Sequence, residues 1–363
     1  MGFYINEFEN ELKQHLNLSE QAWLIVNEDI RNFYYDQSKS SMSGFLNRVF
    51  CNFYQLADAT ISLRCIERRR MLEELFGSAV ISEGVTKQKY IDILMDEYKK
   101  NLITKSNSYA KSEGKKFRIN KDNLEILKNS EDSVYYDGSI GLYFKAVIEE
   151  YANKKMCERE AIFFNETIDI INYAIQNKKK LKIAQYPTVI SSSMGVFGRK
   201  YYVSPYKILT DKVSMFNYLI CFAEEIGNDG NIQEKMQVSF RINKISKIDI
   251  MRSMSGFISA SEKRALDDAI NEKTPQFMAG DVIDIKVTFT AKGLEDFERL
   301  VYLRPTECKQ LDEKTYEIRC TEFQARNYFF NFGKDAIIIE PTFLKEKMEE
   351  KYSSALEAYT AQA

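Results

Sequence analysis

A predicted strand in the second half of the chain, with the sequence QVSFR, carries hydrogen-bonding and cationic side chains on one of its two faces. Strand alternation turns Val238 and Phe240 toward a core. The opposite face then holds Gln237, Ser239 and Arg241. A guanidinium offers a planar fork that fits a phosphate and a flat surface that stacks on a base. This face therefore predicts contact with a polyanion or a nucleotide.

Two tyrosines and an arginine on neighbouring predicted strands extend this chemistry. Tyr206 lies in a strand that Arg199 precedes, and Tyr218 lies in the next strand. Aromatic rings of this kind supply surface on which unpaired bases stack. The alternative is that Tyr206 and Tyr218 belong to a core and that Arg241 pairs with an acid. The residues alone favour this second interpretation.

Basic residues are concentrated in particular segments, although the net charge of the chain is only −2. Residues 85–121 contain ten Lys or Arg against four Asp or Glu, a local charge of +6. Residues 281–363 contain twelve basic and sixteen acidic residues, a local charge of −4. The basic part predicts a polyanion-binding surface, and a solvated helix face is the alternative for any single run.

The residue types that most enzymes use are scarce in this chain. It has one histidine, His15, and six cysteines without a CxxC pair. This leaves little room for His-based triads, His-rich metal sites, zinc ribbons or a disulfide frame. We therefore predict a protein that is not an enzyme and has no catalytic residues, metal or cofactor. The absence of an apolar run of about 18 residues, or of a signal core, predicts a cytoplasmic protein without a membrane partner.

The N-terminal half contains an internal repeat of a short strand, a helix, a turn and an amphipathic helix. The first copy has its strand at 23–30 (WLIVNEDI) and its second helix at 41–54. The second copy has its strand at 116–123 (KFRINKDN) and its second helix at 139–152. Each copy exposes a strand edge and an apolar helix face, so we predict that the two strands pair within one chain. Generic helical packing is the alternative.

This repeat resembles the ribbon-helix-helix family, in which two β-α-α halves pair and their antiparallel ribbon enters a nucleic-acid groove. In that family the start of the second helix holds a phosphate, as free amides and the helix dipole allow. The resemblance implies a phosphate site at Ser43-Gly44 or at Ser139. Strand alternation turns Lys116 and Arg118 outward, so both are candidate nucleic-acid contacts.

The outward positions of the first predicted strand differ from those of the second. They are Trp23, Ile25 and Asn27. A ribbon that reads duplex DNA needs hydrogen-bonding side chains at all of these places. A Trp and an Ile suit stacking on unpaired bases, or burial. This difference weakens the interpretation that the ribbon reads duplex DNA.

Residues 160–252 predict one helix followed by short strands and resemble the WYL domain family. The matching motifs are VSPYKI at 203–208, NYL at 217–219 and FRINKI at 240–245. Asn217 stands where the family has its naming Trp, and Lys244 is the second basic position of the last motif. The resemblance implies a small SH3- or Sm-like β-barrel. It also implies a face that binds a nucleotide or nucleic acid and includes Arg241 and Lys244.

Residues 281–341 predict the order β-α-β-β-α-β, which resembles the ferredoxin-like extension that commonly follows WYL domains. In that family the extension commonly takes part in dimerisation. The last predicted helix, 342–360, is amphipathic and needs a docking partner. We therefore predict a homodimer.

These features predict an α+β protein with a ribbon-helix-helix-like helical domain at 1–158, a WYL β-barrel at 159–255 and a ferredoxin-like extension at 256–363. Such a front end on a WYL domain resembles the accessory proteins of type VI-D CRISPR loci. The resemblance implies a non-enzymatic protein that binds single-stranded RNA and stimulates an RNA-guided CRISPR RNA nuclease. The alternative is a DNA-binding transcription regulator whose WYL domain senses a nucleotide-like ligand. A pure oligomerisation scaffold has no positive feature behind it.

Overall fold

A computed structural model of the protein divides into two compact units, Met1–Glu166 and Thr167–Ala363. The residues that it describes are 12–34, 40–77, 87–108, 114–129, 140–186, 198–212, 214–227, 229–278 and 282–360. Across these ranges no helix combines the length and the apolar character that crossing a membrane requires. The chain is a mixed α+β protein whose sheets are antiparallel.

The first unit combines a two-stranded ribbon with α-helices. Its elements are β1 (Leu12–Leu16), α1 (Glu20–Phe33), α2 (Met42–Leu75), α3 (Lys87–Ser108), β2 (Lys115–Ile119), α4 (Lys121–Lys128), α5 (Ile140–Ala152) and α6 (Met156–Phe163). The order β1-α1-α2 is followed, after α3, by β2-α4-α5. A repeated β-α-α order is therefore present, but its first strand is not the one predicted.

The predicted first strand is wrong, because residues 23–30 lie within helix α1. The hydroxyl of Ser19 caps this helix by accepting a hydrogen bond from the Ala22 amide at 3.2 Å. Trp23 and Val26 fall on the buried face of the helix, at a spacing of three residues. An apolar run this short fits either periodicity, and the cap before it decides for the helix. The outward strand positions assigned to Trp23, Ile25 and Asn27 therefore do not exist.

Strand β1 takes the place of that strand, and it pairs antiparallel with β2 within the same chain. The register sets Lys13 opposite Arg118 and His15 opposite Lys116. All four of these side chains are exposed, whereas Ile119 is fully buried. The predicted pairing of strand 23–30 with strand 116–123 is therefore wrong, and β2 pairs instead with β1 of the same chain.

The core of the first unit joins both β-α-α parts. Val26, Val49, Ile119 and Val147 have no exposed surface. They lie on α1, α2, β2 and α5 respectively. Burying an aliphatic side chain of this size stabilises a fold by about 1.5–3 kcal/mol. The ribbon is therefore held to the helices by its inward residues, while its outward residues are exposed to solvent.

A buried ion pair connects α1 to α6. Arg159 donates through Nε and Nη2 to the carboxylate of Asp29 at 2.7 and 3.0 Å. The Tyr151 hydroxyl donates to the same carboxylate at 2.7 Å. Burial, and then the negative charge of Asp29, hold the pKa of Tyr151 well above its ordinary value. Because each polar atom here has a specific partner, the network sets one arrangement of these helices.

Helix α7 (Asn165–Gln176) leads into the second unit, which begins with a five-stranded sheet. The strands are β3 (Lys179–Gln185), β4 (Lys200–Thr210), β5 (Asn217–Ile226), β6 (Met236–Arg241) and β7 (Ile245–Ser255). Their order in the sheet is β6-β5-β4-β3-β7. Asn217 is buried at the start of β5 and accepts a hydrogen bond from the Thr210 hydroxyl at 2.8 Å. At the position where the WYL family pattern has its Trp, this chain thus has Asn217, which is hydrogen-bonded to Thr210.

The predicted closed barrel is wrong, because β6 and β7 are the two edges of this sheet. A 3-10 turn, Ile242–Lys244, joins these edge strands. This turn lies within the FRINKI motif at 240–245, so the motif does not form one continuous strand. The edges therefore meet at a turn, where the backbone cannot form a continuous hydrogen-bonded ladder.

The rest of the second unit carries a second antiparallel sheet. Helix α8 (Ala260–Lys273) and a 3-10 turn (Pro275–Phe277) precede β8 (Val282–Phe289), α9 (Ala291–Arg299), β9 (Glu307–Gln310), β10 (Thr315–Thr321), α10 (Glu322–Phe329), β11 (Ala336–Glu340) and α11 (Thr342–Thr360). The β-α-β-β-α-β order predicted for residues 281–341 is present. The strand order is β11-β8-β10-β9.

The first half of helix α11 packs against the second sheet of its own chain. Leu344 and Met348 are buried in the core of the second sheet together with Ile318. Leu356 and Tyr359, nearer the end of the helix, are 65% and 80% exposed. The first half of the helix therefore docks within the chain through Leu344 and Met348, whereas Phe343, Leu356 and Tyr359 present apolar surface outward.

Candidate nucleic-acid interface

A groove of about 620 Å³ in the second unit brings several predicted site residues together. From the five-stranded sheet and the turn after β6 come Tyr218, Ser239, Arg241 and Lys244. The remaining lining residues are Gln185, Gln276, Phe277, Tyr302, Leu303, Phe323 and Asn327. No residue of this described lining is acidic, and its basic residues are Arg241 and Lys244.

Arg241 is held at the end of β6 by an aromatic contact. It lies opposite Tyr218 in the register of β5 and β6. The carbon at the centre of its guanidinium is 3.1 Å from the centroid of the Phe216 ring. A cation over an aromatic face is attracted to it and loses conformational freedom there. The guanidinium is therefore held in one orientation, and a group ordered in advance binds a ligand at a lower entropic cost.

Lys244 stands beside Arg241 because the 3-10 turn bends the chain directly after β6. The carbonyl oxygen of Lys244 accepts a hydrogen bond from the Tyr186 amide at 3.0 Å, which fixes the turn. Burial, and then the positive charge of Arg241, lower the pKa of the Lys244 amine. A bound anion would oppose this lowering, because a negative charge nearby favours the protonated form of the amine.

Tyr218 and Ser239 line the groove but mainly build its wall. Tyr218 is only 8% exposed and packs with Ile220 and Leu266 between β5 and α8. The Ser239 hydroxyl donates a hydrogen bond to the carbonyl oxygen of Pro275. These contacts tie the sheet to the 3-10 turn that follows α8. Tyr218 therefore fits the core interpretation better than the stacking one.

The other three predicted site residues of this unit lie outside the groove lining. The Tyr206 hydroxyl donates to Asp267 at 3.0 Å, and burial followed by that hydrogen bond raises the pKa of Tyr206. Arg199 lies 3.7 Å from a carboxylate oxygen of Glu225. Gln237 is half-buried near the start of β6. The structure thus separates these residues from the pair of cations.

Lys116 and Arg118 belong to a different surface, the outward face of the ribbon in the first unit. This face consists of Lys13, His15, Lys116 and Arg118. Like charges directly opposite each other on paired strands destabilise a sheet. Lys13 and Arg118 form such a pair in this ribbon. A surface that concentrates cations in this way is suited to contact with a polyanion.

A cleft of about 420 Å³ joins Arg118 to the start of helix α2. The Ser41 hydroxyl caps that helix and accepts from the Gly44 amide at 3.2 Å. The Ser43 hydroxyl accepts from the Arg118 amide at 3.3 Å. Two of the groups expected to hold a phosphate at Ser43-Gly44 are thus used within the protein. The second expected site, Ser139, lies outside the described residues.

Several groove residues were not predicted from the sequence. On α10, Ala325 and Phe329 are buried, whereas Phe323 and Asn327 lie four residues apart on the opposite face. A phenylalanine on the polar face of an amphipathic helix is a signal that could have identified this wall. Tyr302 lies in the connection after α9, and no sequence pattern marks it. Only the fold brings it beside the cations.

The described residues provide no metal centre: nowhere in them are three His, Cys, Asp or Glu side chains grouped to hold an ion. Burial raises the pKa of the Cys221 thiol well above its ordinary value. Burial, and then the neighbouring Cys308, raise the pKa of Cys320 to about 12. Both thiols therefore remain protonated near neutral pH, and the thiol is not the form that binds metals or attacks electrophiles.

Comparison with known proteins gives a structural likeness. No protein-family model and no curated protein matches the sequence. The chain is similar to a solved structure described as a "CRISPR Cas-related protein", with a TM-score of 0.67 and 23% identity over 99% of this chain and 96% of that chain. A second solved structure, proteasome accessory factor B/C (PafBC) of Arthrobacter aurescens, has a TM-score of 0.26 and 12% identity over 81% of this chain and 48% of that chain. The first likeness shows that this protein shares its fold with the CRISPR Cas-related protein.

Proposed function

We propose that this protein is a non-enzymatic, cytoplasmic accessory protein that binds single-stranded RNA and stimulates the RNA-guided RNA nuclease of a type VI-D CRISPR system. The fold that it shares with a CRISPR Cas-related protein supports this proposal. The proposal assigns residues 1–158 to a ribbon-helix-helix-like domain, 159–255 to a WYL domain and 256–363 to its extension. It also makes the protein a homodimer.

The observation that carries the proposal is that Arg241 and Lys244, two basic residues, line the same groove. The described residues that line this groove include no carboxylate. Phosphate contacts through Lys and Arg supply most of the affinity of nucleic-acid binding, because they release condensed counterions. The volume of about 620 Å³ lies within the range of about 300–1,000 Å³ typical of small-molecule pockets. The groove therefore suits single nucleotide units, not the full width of a duplex.

The ribbon supports a second candidate function, a regulator that binds DNA. A two-stranded ribbon fits the major groove of B-DNA, and its outward side chains then meet the base edges. Lys13, His15, Lys116 and Arg118 supply donors at all four outward positions. Trp23 and Ile25, which as strand residues would not suit duplex DNA, belong to helix α1 and not to the ribbon. The corrected ribbon is therefore chemically compatible with a duplex.

Titration of the full-length protein at one fixed salt concentration separates the two functions. The probes are an unstructured RNA, a single-stranded DNA of the same sequence and a duplex DNA. If the proposal is right, the RNA binds most tightly and an Arg241→Ala/Lys244→Ala variant loses that affinity. A Lys13→Ala/Arg118→Ala variant removes the same charge from the ribbon and should bind the RNA nearly as well. Tightest binding of duplex DNA, lost only in the ribbon variant, would establish the second candidate instead.

A cleavage assay tests the second half of the proposal. The purified RNA-guided nuclease, with its guide and target RNA, is assayed with and without this protein. We expect faster cleavage with the wild-type protein and little stimulation by Arg241→Ala/Lys244→Ala. Full stimulation by a variant that no longer binds RNA would show that RNA binding in the groove is not the cause.

A further inference from the structure

Two large aromatic side chains stand exposed on the groove that contains the cations. Tyr302 and Phe323 both line this groove, and they are 61% and 62% exposed. Apolar surface left in water forgoes the stabilisation that its burial would give. Exposed aromatic rings grouped beside cations are typical of sites where an aromatic ligand covers them.

Tyr302 is held in place by the helix behind it. The Tyr328 hydroxyl donates to the carbonyl oxygen of Leu300 at 2.8 Å, and the Gln324 side chain donates to that of Leu303 at 3.2 Å. Leu303 adopts a φ of 63°, in the left-handed region that a branched residue rarely occupies. Backbone strain of this kind persists where the surroundings enforce it, and it is concentrated at ligand sites. The segment between α9 and β9 that carries Tyr302 is thus fixed to helix α10 on both sides of Tyr302.

Phe323 is equally well positioned, at the first turn of α10. The Thr321 hydroxyl caps this helix by accepting from the Gln324 amide at 3.2 Å. The Phe323 ring lies against Phe277, with 6.1 Å between ring centroids and an angle of 50°. The Asn327 side chain donates to the carbonyl oxygen of Phe323 at 2.8 Å and lines the groove one turn further on. The Phe323 ring is therefore supported on one side by Phe277, while most of its surface remains exposed.

We propose that Tyr302 and Phe323 form a stacking platform for the base of an unpaired nucleotide whose phosphate is bound by Arg241 and Lys244. This inference rests on the proposed binding of RNA in the groove and explains how that groove selects single strands. A base within a duplex is stacked on both faces and cannot lie on the platform. The amides of Gln185, Gln276 and Asn327 supply hydrogen-bonding groups beside the base. The nucleotide comes either from an RNA strand or from a free nucleotide pool.

Fluorescence anisotropy with a labelled, unstructured RNA tests the platform in the full-length protein. Stacking on an aromatic side chain contributes about 1–3 kcal/mol per base, so Tyr302→Ala and Phe323→Ala should each weaken binding by roughly 5- to 150-fold. Phe323→Trp should restore binding to within a few-fold of wild type. Tyr173→Ala removes a 52% exposed ring on α7 and should change nothing. Thermal denaturation of each variant confirms that it is folded.

Two further probes identify the ligand. An RNA of the same length with abasic sugars keeps the phosphates, so it should bind wild type weakly and be insensitive to Phe323→Ala. Competition by micromolar nucleoside monophosphates would assign the platform to free nucleotides, and its absence would assign it to a strand.

The failures of the platform and of the proposed function can be told apart. Wild-type affinity of Tyr302→Ala/Phe323→Ala for the RNA, with a loss in Arg241→Ala, would overturn the platform and leave RNA binding intact. Equal binding of abasic and normal RNA would overturn it as well. If neither RNA nor nucleotides bind the wild-type protein, both the platform and the proposed function are wrong.

Discussion

Replacement of Arg241 by alanine is the perturbation whose effect can be worked out most fully from the structure. The change removes one of two cations from the described lining of the groove, which includes no acidic residue. A hydrogen bond to a charged group contributes about 1.5–3 kcal/mol, which corresponds to a loss in RNA affinity of roughly 10- to 150-fold. The charge of Arg241 also lowers the pKa of Lys244. Removing that charge raises the pKa of Lys244 toward its ordinary value, so Lys244 is protonated more fully. We therefore expect a loss of RNA affinity near the lower end of this range.

The salt dependence of binding isolates the electrostatic part of this effect. For single strands the logarithm of the binding constant falls with the logarithm of salt concentration, by about 0.7 for each phosphate neutralised. Arg241→Ala should therefore reduce the magnitude of the slope by about 0.7. Arg241→Lys keeps the charge but not the fork, so its slope should equal that of wild type while its affinity is lower. The assay is an anisotropy titration at four or five salt concentrations.

Two controls make the result decisive. The contact of Arg241 with Phe216 contributes about 0.5–2 kcal/mol to stability, so each variant is first shown to be folded by thermal denaturation. Lys309→Ala removes an exposed cation from β9 and should leave both affinity and slope nearly unchanged. A folded Arg241→Ala protein with the affinity and slope of wild type would refute the assignment of this groove as the RNA site.

Other consequences of the structure can be tested separately. Because the pKa of Lys244 is lowered, affinity for RNA should fall as the pH rises through that lowered value, whereas Lys244→Arg should show no such fall in the same titration. Ile119→Asp places a charge in the core of the first unit and should unfold it by circular dichroism, while Arg118→Ala, on the exposed face of the ribbon, should change stability by no more than about 0.5 kcal/mol. Sedimentation should give a dimer of the 42.4 kDa chain at micromolar concentration, and Leu356→Asp/Tyr359→Asp should shift it toward monomer if the exposed end of α11 forms the interface. A mass of one chain at every dilution would contradict the dimer.

The β-α-α order of the first unit could be predicted from the sequence, but the first strand could not. Residues 23–30 contain enough β-branched and aromatic side chains to resemble a strand. Tertiary packing decides otherwise, because Ser19 caps a helix there and Val26 faces the core. The true strand, LKQHL, is short and half polar, so periodicity alone does not identify it. Its pairing with β2 is a long-range contact that no local pattern encodes.

The cationic part of the groove could also be predicted, whereas its aromatic wall could not. Strand alternation identifies Arg241, because Val238 and Phe240 are buried on the opposite face of β6. The 3-10 turn that brings Lys244 beside it is a tertiary feature within the FRINKI motif. Tyr302 and Phe323 reach the groove from elements that follow the five-stranded sheet by many residues. Sequence neighbours cannot reveal a wall built from such distant parts.

Photocrosslinking identifies the residues of this protein that contact RNA. A single-stranded RNA that contains 4-thiouridine is bound to the full-length protein, irradiated and digested, and the crosslinked peptides are identified by mass spectrometry. If RNA binds in the groove, adducts form on peptides that contain Arg241, Tyr302 or Phe323, and an excess of the unlabelled strand reduces them. Adducts confined to the ribbon peptides around Lys13 and Arg118, with none in the second unit, would contradict binding of RNA in the groove.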